Sequence, residues 1–126
     1  MNVEDVREYA LSFPYVEESF PFDETALVMK VKGKMFLLFD IESKPLWVNM
    51  KCDPEKALEL RESYSFVMPG YHMNKRHWNT IEVSDAVPDE LIRNWIKDSY
   101  ILVVNGLKKD DKAQVLQALN GVSAVR

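Results

Sequence analysis

The sequence predicts an α+β domain of two layers. An antiparallel five-stranded sheet carries helices packed on one face, in the order α-β(3)-α-β(2)-α, with a short C-terminal helix added. Three observations carry this. Between Ala26 and Cys52 the apolar residues recur at period two in segments joined by tight turns, the pattern of half-buried hairpin strands. Helix-start signals stand at Asn2, Asp53 and Pro88, outside those segments. Strands run together in hairpins, which implies an antiparallel sheet covered on one side and not a parallel sheet covered on both. With 126 residues and no internal repeat or Gly/Ser linker, the chain is expected to be one domain over residues 1–126.

Asn2 caps a first helix with Asp5 at its third position, and Val3, Val6, Ala10 and Leu11 share one stripe. Phe13-Pro14 stops it, since the residue before proline is pushed out of the helical region. Residues 14–24 read as an irregular acidic and aromatic connection. Ala26 to Lys32 alternates, with Leu27, Met29 and Val31 inward, and Gly33-Lys34 reads as the turn into the apolar run Met35 to Ile41. After Ser43 to Pro45, Leu46, Val48, Met50 and Cys52 face inward against Trp47, Asn49 and Lys51. Asp53-Pro54 starts a helix to about Ser63. Ser65 to Met73 is a strand broken by Pro69-Gly70, which places it at an edge or a bulge. Trp78 to Val83 follows the Asn74 to Arg76 turn. Pro88 then opens the longest helix, whose buried stripe is Leu91, Ile92, Trp95, Ile96, Leu102 and Val103. Asn105-Gly106 ends that helix, and a short one from Asp110 or Asp111 to Leu119 closes the reading.

Charge is distributed unevenly. Lys and Arg number 16 against 20 Asp and Glu, for a net charge of -4, which argues against a nucleic-acid partner. Residues 1–29 carry one base against seven acids, a balance of -6. Residues 30–77 carry nine bases against six acids, a balance of +3, and residues 78–126 six against seven, a balance of -1. A basic face can therefore exist on an acidic protein, because potentials act over about 8 Å in physiological salt. The single cysteine, Cys52, forbids an internal disulfide, and no basic-flanked apolar leader opens the chain, so a cytoplasmic location is expected. The longest apolar runs are far short of the roughly 20 residues that span a bilayer, so no membrane partner is expected.

On these facings the outward set is Lys30, Lys32, Trp47, Asn49, Lys51, Trp78 and Thr80. Two indoles among lysines suit base stacking with phosphate neutralisation. The other reading is that residues 14–23, with Tyr15, Phe20 and Phe22, fold over the sheet and cover them. Catalytic machinery is not visible. His72 and His77 are five apart across a turn, neither a helical pair nor a zinc spacing. Cys52 stands at the inward end of a strand, where a thiol is inert. The four glycines are too scattered for a phosphate loop. No enzyme, metal or cofactor is expected.

The run Pro69-Gly70-Tyr71-His72-Met73-Asn74-Lys75-Arg76-His77-Trp78-Asn79-Thr80, followed by Val87 to Ile92 and Ser99 to Val104, resembles the MmcQ/YjbR family of small bacterial proteins. The resemblance extends upstream through Glu18 to Phe22 and Met35-Phe36, and downstream to about Leu107. Residues 108–126 depart from it. It implies a fold akin to secretion chaperones and a "double wing" DNA-binding role, based on structural analogy. On this reading the DNA-binding residues are Lys30, Lys32, Lys34 and Lys51 together with Asn74, Lys75, Arg76, His77, Trp78 and Asn79. The partner expected is duplex DNA. The alternative is a peptide- or protein-binding module built on exposed Trp47 and Trp78.

Overall fold

The computed structural model describes residues 1–125, with side chains through residue 121. Helix α1 spans Val3–Leu11 and strands β1 to β4 span Val16–Ser19, Ala26–Val31, Lys34–Asp40 and Leu46–Lys51. Helix α2 (Pro54–Ser63), strands β5 (Val67–Pro69) and β6 (Trp78–Val83), and helices α3 (Asp89–Asn105) and α4 (Lys109–Val125) follow. The strands form one antiparallel sheet in the order β1-β2-β3-β4-β6-β5. Helices α1, α2 and α3 pack on one face, with α3 across the middle strands, α1 beside β1, and α2 beside β5 and β6. Between the layers lie Leu27, Met29, Val31, Phe39, Val48, Met50, Ile81 and Val83 from the sheet, against Val6, Ala10, Ile92, Ile96, Tyr100 and Val103.

The α+β class and the one-sided packing are as the sequence predicts, but the sheet has six strands and not five. The extra strand is β1, inside the segment read as irregular. Its sequence, Val-Glu-Glu-Ser, has little strand propensity. It is held by partners that local sequence does not display: Val16 lies opposite Val31 and Glu17 opposite Lys30 on β2. Glu18 takes both hydrogen bonds of the Arg7 guanidinium, at 2.7 Å from Nε and 2.6 Å from Nη2, which fastens the strand to α1.

Smaller differences have equally local causes. The β2–β3 turn is made by Lys32 and Gly33, both at positive φ (50° and 80°), and not by Gly33-Lys34. Two left-handed residues match the twist of the flanking strands. Pro88 caps α3 from outside instead of occupying its first turn. The Ser65 to Met73 strand contracts to Val67–Pro69, an edge strand. Helix α4 runs well past Leu119, with Val115 buried in the core; of the segment from Lys108, only Arg126 lies outside the described residues.

Two buried polar groups fix α3 to the rest. Pairing of β2 with β3 shifts register between Met29 and Lys30, leaving Phe36 as the extra residue of a bulge. Pairing of β3 with β4 begins only at Leu37 and Met50. At the next position the Ser99 hydroxyl of α3 enters, donating to Phe36 O at 2.6 Å and accepting from Lys51 N at 2.8 Å. One side chain thus satisfies two backbone groups that a regular ladder would have paired. At the following residue of α3, the Tyr100 hydroxyl donates to Pro14 O at 2.7 Å while its ring stacks on Phe13.

Ser99→Ala leaves Phe36 O and Lys51 N without this partner and should lower unfolding free energy by about 1–3 kcal/mol in urea titration; a loss within error of zero contradicts the bridging role. Burial pushes the Tyr100 hydroxyl up to about 12 from the usual 10.0. Its proton is held more tightly in the folded chain, so its contribution to stability is intact below the unfolded value and is lost as pH rises through the folded one. An ultraviolet titration of phenolate should show one of the five tyrosines ionising last, and Tyr100→Phe should abolish that step.

Candidate nucleic-acid interface and adjoining cavities

The antiparallel order brings three chain segments to one end of the sheet: the Lys32-Gly33 turn, the end of β4 with the start of α2, and the turn before β6. Cys52 N donates to His77 O at 2.8 Å and continues the β4–β6 alignment past the last ladder pair. A cleft of ≈ 500 Å³ lies here, bordered by Lys34, Lys51, His77 and Asp53, with Gly106 at the end of α3. Two of the five predicted lysines and His77 therefore meet at one place.

The remaining predicted residues divide by what holds them. Lys32 is engaged elsewhere: its ammonium donates to Gln114 Oε1 at 2.6 Å, lies 3.9 Å from Asp111 Oδ1, and sits 4.2 Å from the Tyr15 ring centroid. Lys30 is half-buried opposite Glu17. Lys75 Nζ folds back on Gly70 O at 3.1 Å. Arg76 is exposed, and the turn beneath it is set by Asn74, whose side chain accepts from Arg76 N at 2.9 Å. Trp78 and Asn79 are interior residues, at 7% and 1% exposure.

Alternation along β6 predicts Trp78 outward, and so it points, but it is covered. The cover is not the 14–23 segment, whose Phe20 and Phe22 remain exposed, Phe22 at 70%. The residues after β5 close over that face instead. Gly70 lies so near Trp78 that a Cβ there would meet Trp78 Cβ at 2.8 Å and Met73 Cβ at 3.0 Å. Tyr71 stands edge-on to Trp47, and the Trp47 indole N–H is enclosed without a partner. The Asn49 and Thr80 side chains bond each other at 2.5 Å, and Thr80 Oγ1 also accepts from Tyr71 N.

Arg61 is the residue that sequence reasoning missed. Its guanidinium donates to Asn79 Oδ1 at 2.7 Å through Nε, and through Nη2 to Lys75 O and to Trp78 O at 3.2 Å. A planar fork suits three acceptors spread along one turn, where an ammonium would not. The signal was available: Arg61 falls four residues after buried Ala57, on the inward side of α2. Asn79 completes the set by donating to Ala57 O at 3.3 Å. The Asn74 to Asn79 run is thus largely an internal fastening of α2 to the sheet, with Arg76 exposed, His77 half-buried, and the exposed Asn74 and Lys75 bonded to the turn itself.

Next to the basic cleft is a more enclosed cavity of ≈ 320 Å³ between α2 and α3. Met50, Leu60, Ile81, Trp95 and Leu102 supply its apolar wall, and Lys51, Cys52 and Asp53 border both spaces. Burial, with Asp53 and Asp98 nearby, pushes the Cys52 thiol up, which keeps it protonated and weakly nucleophilic. Among the described residues no cluster of three or more His, Cys, Asp or Glu could hold a metal ion. Among them, too, no helix is long and apolar enough to cross a membrane.

Fold and site together define a small α+β protein whose accessible chemistry is gathered at one end of a one-sided sheet. The YjbR family model matches residues 11–102, and the chain belongs to that family. It is 38% identical over 112 residues to the uncharacterized protein YbdF of Escherichia coli O157:H7, covering 89% of this chain and 92% of that one. It is 31% identical over 118 residues to the uncharacterized protein YjbR of Escherichia coli K12, covering 93% and 99%. The crystal structure of Deinococcus radiodurans DR2400 superposes with a TM-score of 0.84 at 38% identity, over 90% of this chain and 87% of that one.

Arg61→Ala should destabilise the protein by about 2 kcal/mol, and Arg61→Lys should recover little of it, because the three donors of an ammonium diverge from one nitrogen and do not reproduce the reach of Nε and Nη2. Amide hydrogen exchange should rise first over residues 75–79. An Arg61→Lys variant as stable as the unmodified protein would rule out the fork as the fastening.

Proposed function

We propose that this protein is a cytoplasmic, non-catalytic DNA-binding module. Its two projections are the β2–β3 turn and the turn before β6. The single observation that supports this is the gathering of Lys34, Lys51 and His77 around one cleft, with Arg76 exposed beside His77. Ammonium groups at the rim neutralise backbone phosphate. Because Lys32 and Lys75 are already engaged and Asp53 shares the cleft, few phosphates are neutralised at once. Binding is therefore weak, indifferent to sequence and sensitive to salt.

The alternative, a peptide- or protein-binding module, draws its support from Phe20 and Phe22, which stand exposed between β1 and β2. Those rings lie on a different loop from the basic cleft, so separate substitutions test the two readings.

Fluorescence anisotropy with a labelled duplex at several salt concentrations tests the DNA reading. Replacing Lys34 and Lys51 together by Ala should reduce the log-log salt slope by roughly 2 and leave the fold intact. No binding at low salt, or an unchanged slope, rejects it.

A further inference from the structure

Helical spacing puts Leu102 on the buried stripe of α3, yet it is 37% exposed. The reason is the ≈ 320 Å³ cavity, whose wall it forms with Met50, Leu60, Ile81 and Trp95. Helix α2 buries only Ala57 and Leu60, so it covers the neighbouring sheet incompletely. At the floor, both ends of the Asn79 amide are engaged by Arg61 and Ala57 O. Since that amide is already satisfied, the chamber presents apolar surface to whatever enters. Its volume is at the lower end of the range for small-ligand sites.

Charge at the opening gives direction. The titratable groups around the two adjoining spaces are Lys34, Lys51, Lys56, His77 and Cys52 against Asp53 and Asp98. The Asp53 carboxylate already accepts from Lys56 N as the cap of α2, and the Cys52 thiol is held neutral. Near Gly106 the cleft meets the carbonyl end of α3, which favours cations. An anionic head therefore settles on the Lys34, Lys51 and His77 side. Lys51 belongs to both spaces and stands where the apolar chamber passes into the basic cleft.

We propose that the paired cavities form a binding site for a small amphipathic carboxylate, its apolar body between α2 and α3 and its carboxylate at Lys51 and Lys34. This inference does not depend on the DNA reading, although the two share these lysines.

Decanoate below its micelle concentration, titrated into the whole protein by calorimetry, is the direct probe. Saturable single-site binding is expected, with decylamine about tenfold weaker or worse, since a charge-assisted hydrogen bond is replaced by repulsion. Bound decanoate should also slow alkylation of Cys52, the only cysteine and a wall of both spaces. Leu102→Trp, a change at a partly exposed wall residue, should fill the chamber and abolish decanoate binding. Leu102 also borders the basic cleft, so the probes separate the two readings: decanoate in calorimetry tests the carboxylate site, and duplex DNA in anisotropy tests the other. Absence of saturable binding to the unmodified protein overturns the inference. So does equal affinity for decanoate, decanol and decylamine, which would mean a non-specific apolar surface, or undiminished decanoate binding by the Leu102→Trp protein.

Discussion

The bridge made by the Ser99 hydroxyl between Phe36 O and Lys51 N organises this molecule. A helix lying on a sheet normally touches it through apolar side chains, and such contact alone tolerates sliding. Here one turn of α3 is joined to two strands by hydrogen bonds in the interior, where an unmade bond is costly and geometry is strict. The bulge at Phe36 makes room for the hydroxyl, and ladder pairing of β3 with β4 begins only one residue further on. Lys51, just at this junction, has its backbone fixed by α3 and borders the cleft.

The same end of the sheet is shaped from the other side by Arg61. Its contacts with Lys75 O, Trp78 O and the Asn79 side chain turn a polar and aromatic run into a rigid corner between α2 and β6. Family resemblance centres on that run, and most of its residues serve to hold the corner together. Trp78 and Asn79 are buried, Asn74 shapes the turn, and Lys75 closes on Gly70. A segment that marks a fold strongly can thus offer few groups to a partner. The groups that remain accessible owe their nearness to the corner, because it sets His77 beside the ends of β3 and β4.

Much of the architecture was legible along the chain because its signals are local. The capping box of Asn2 and Asp5, the Asp53-Pro54 helix start and the alternation of β4 each occupy a few consecutive residues and appear in the structure. Strand β1 was not legible, since its stability comes from β2 and from Arg7, and nothing in Val-Glu-Glu-Ser announces either. Leu102 shows the converse: its periodicity is correct for burial, but burial also requires a covering neighbour, and α2 does not reach it.

The sequence by itself determined the α+β class, the hairpins, the helix starts and the membership that the Pro69 to Thr80 run signals, because caps, turns and period-two alternation act over short spans. Only the tertiary structure decided which charges are available. Lys32 and Lys34 are two residues apart in a basic hairpin, yet one is bound to α4 and the other borders the cleft. Whether a charged side chain is free depends on which distant element packs against it, and that is settled by the fold as a whole.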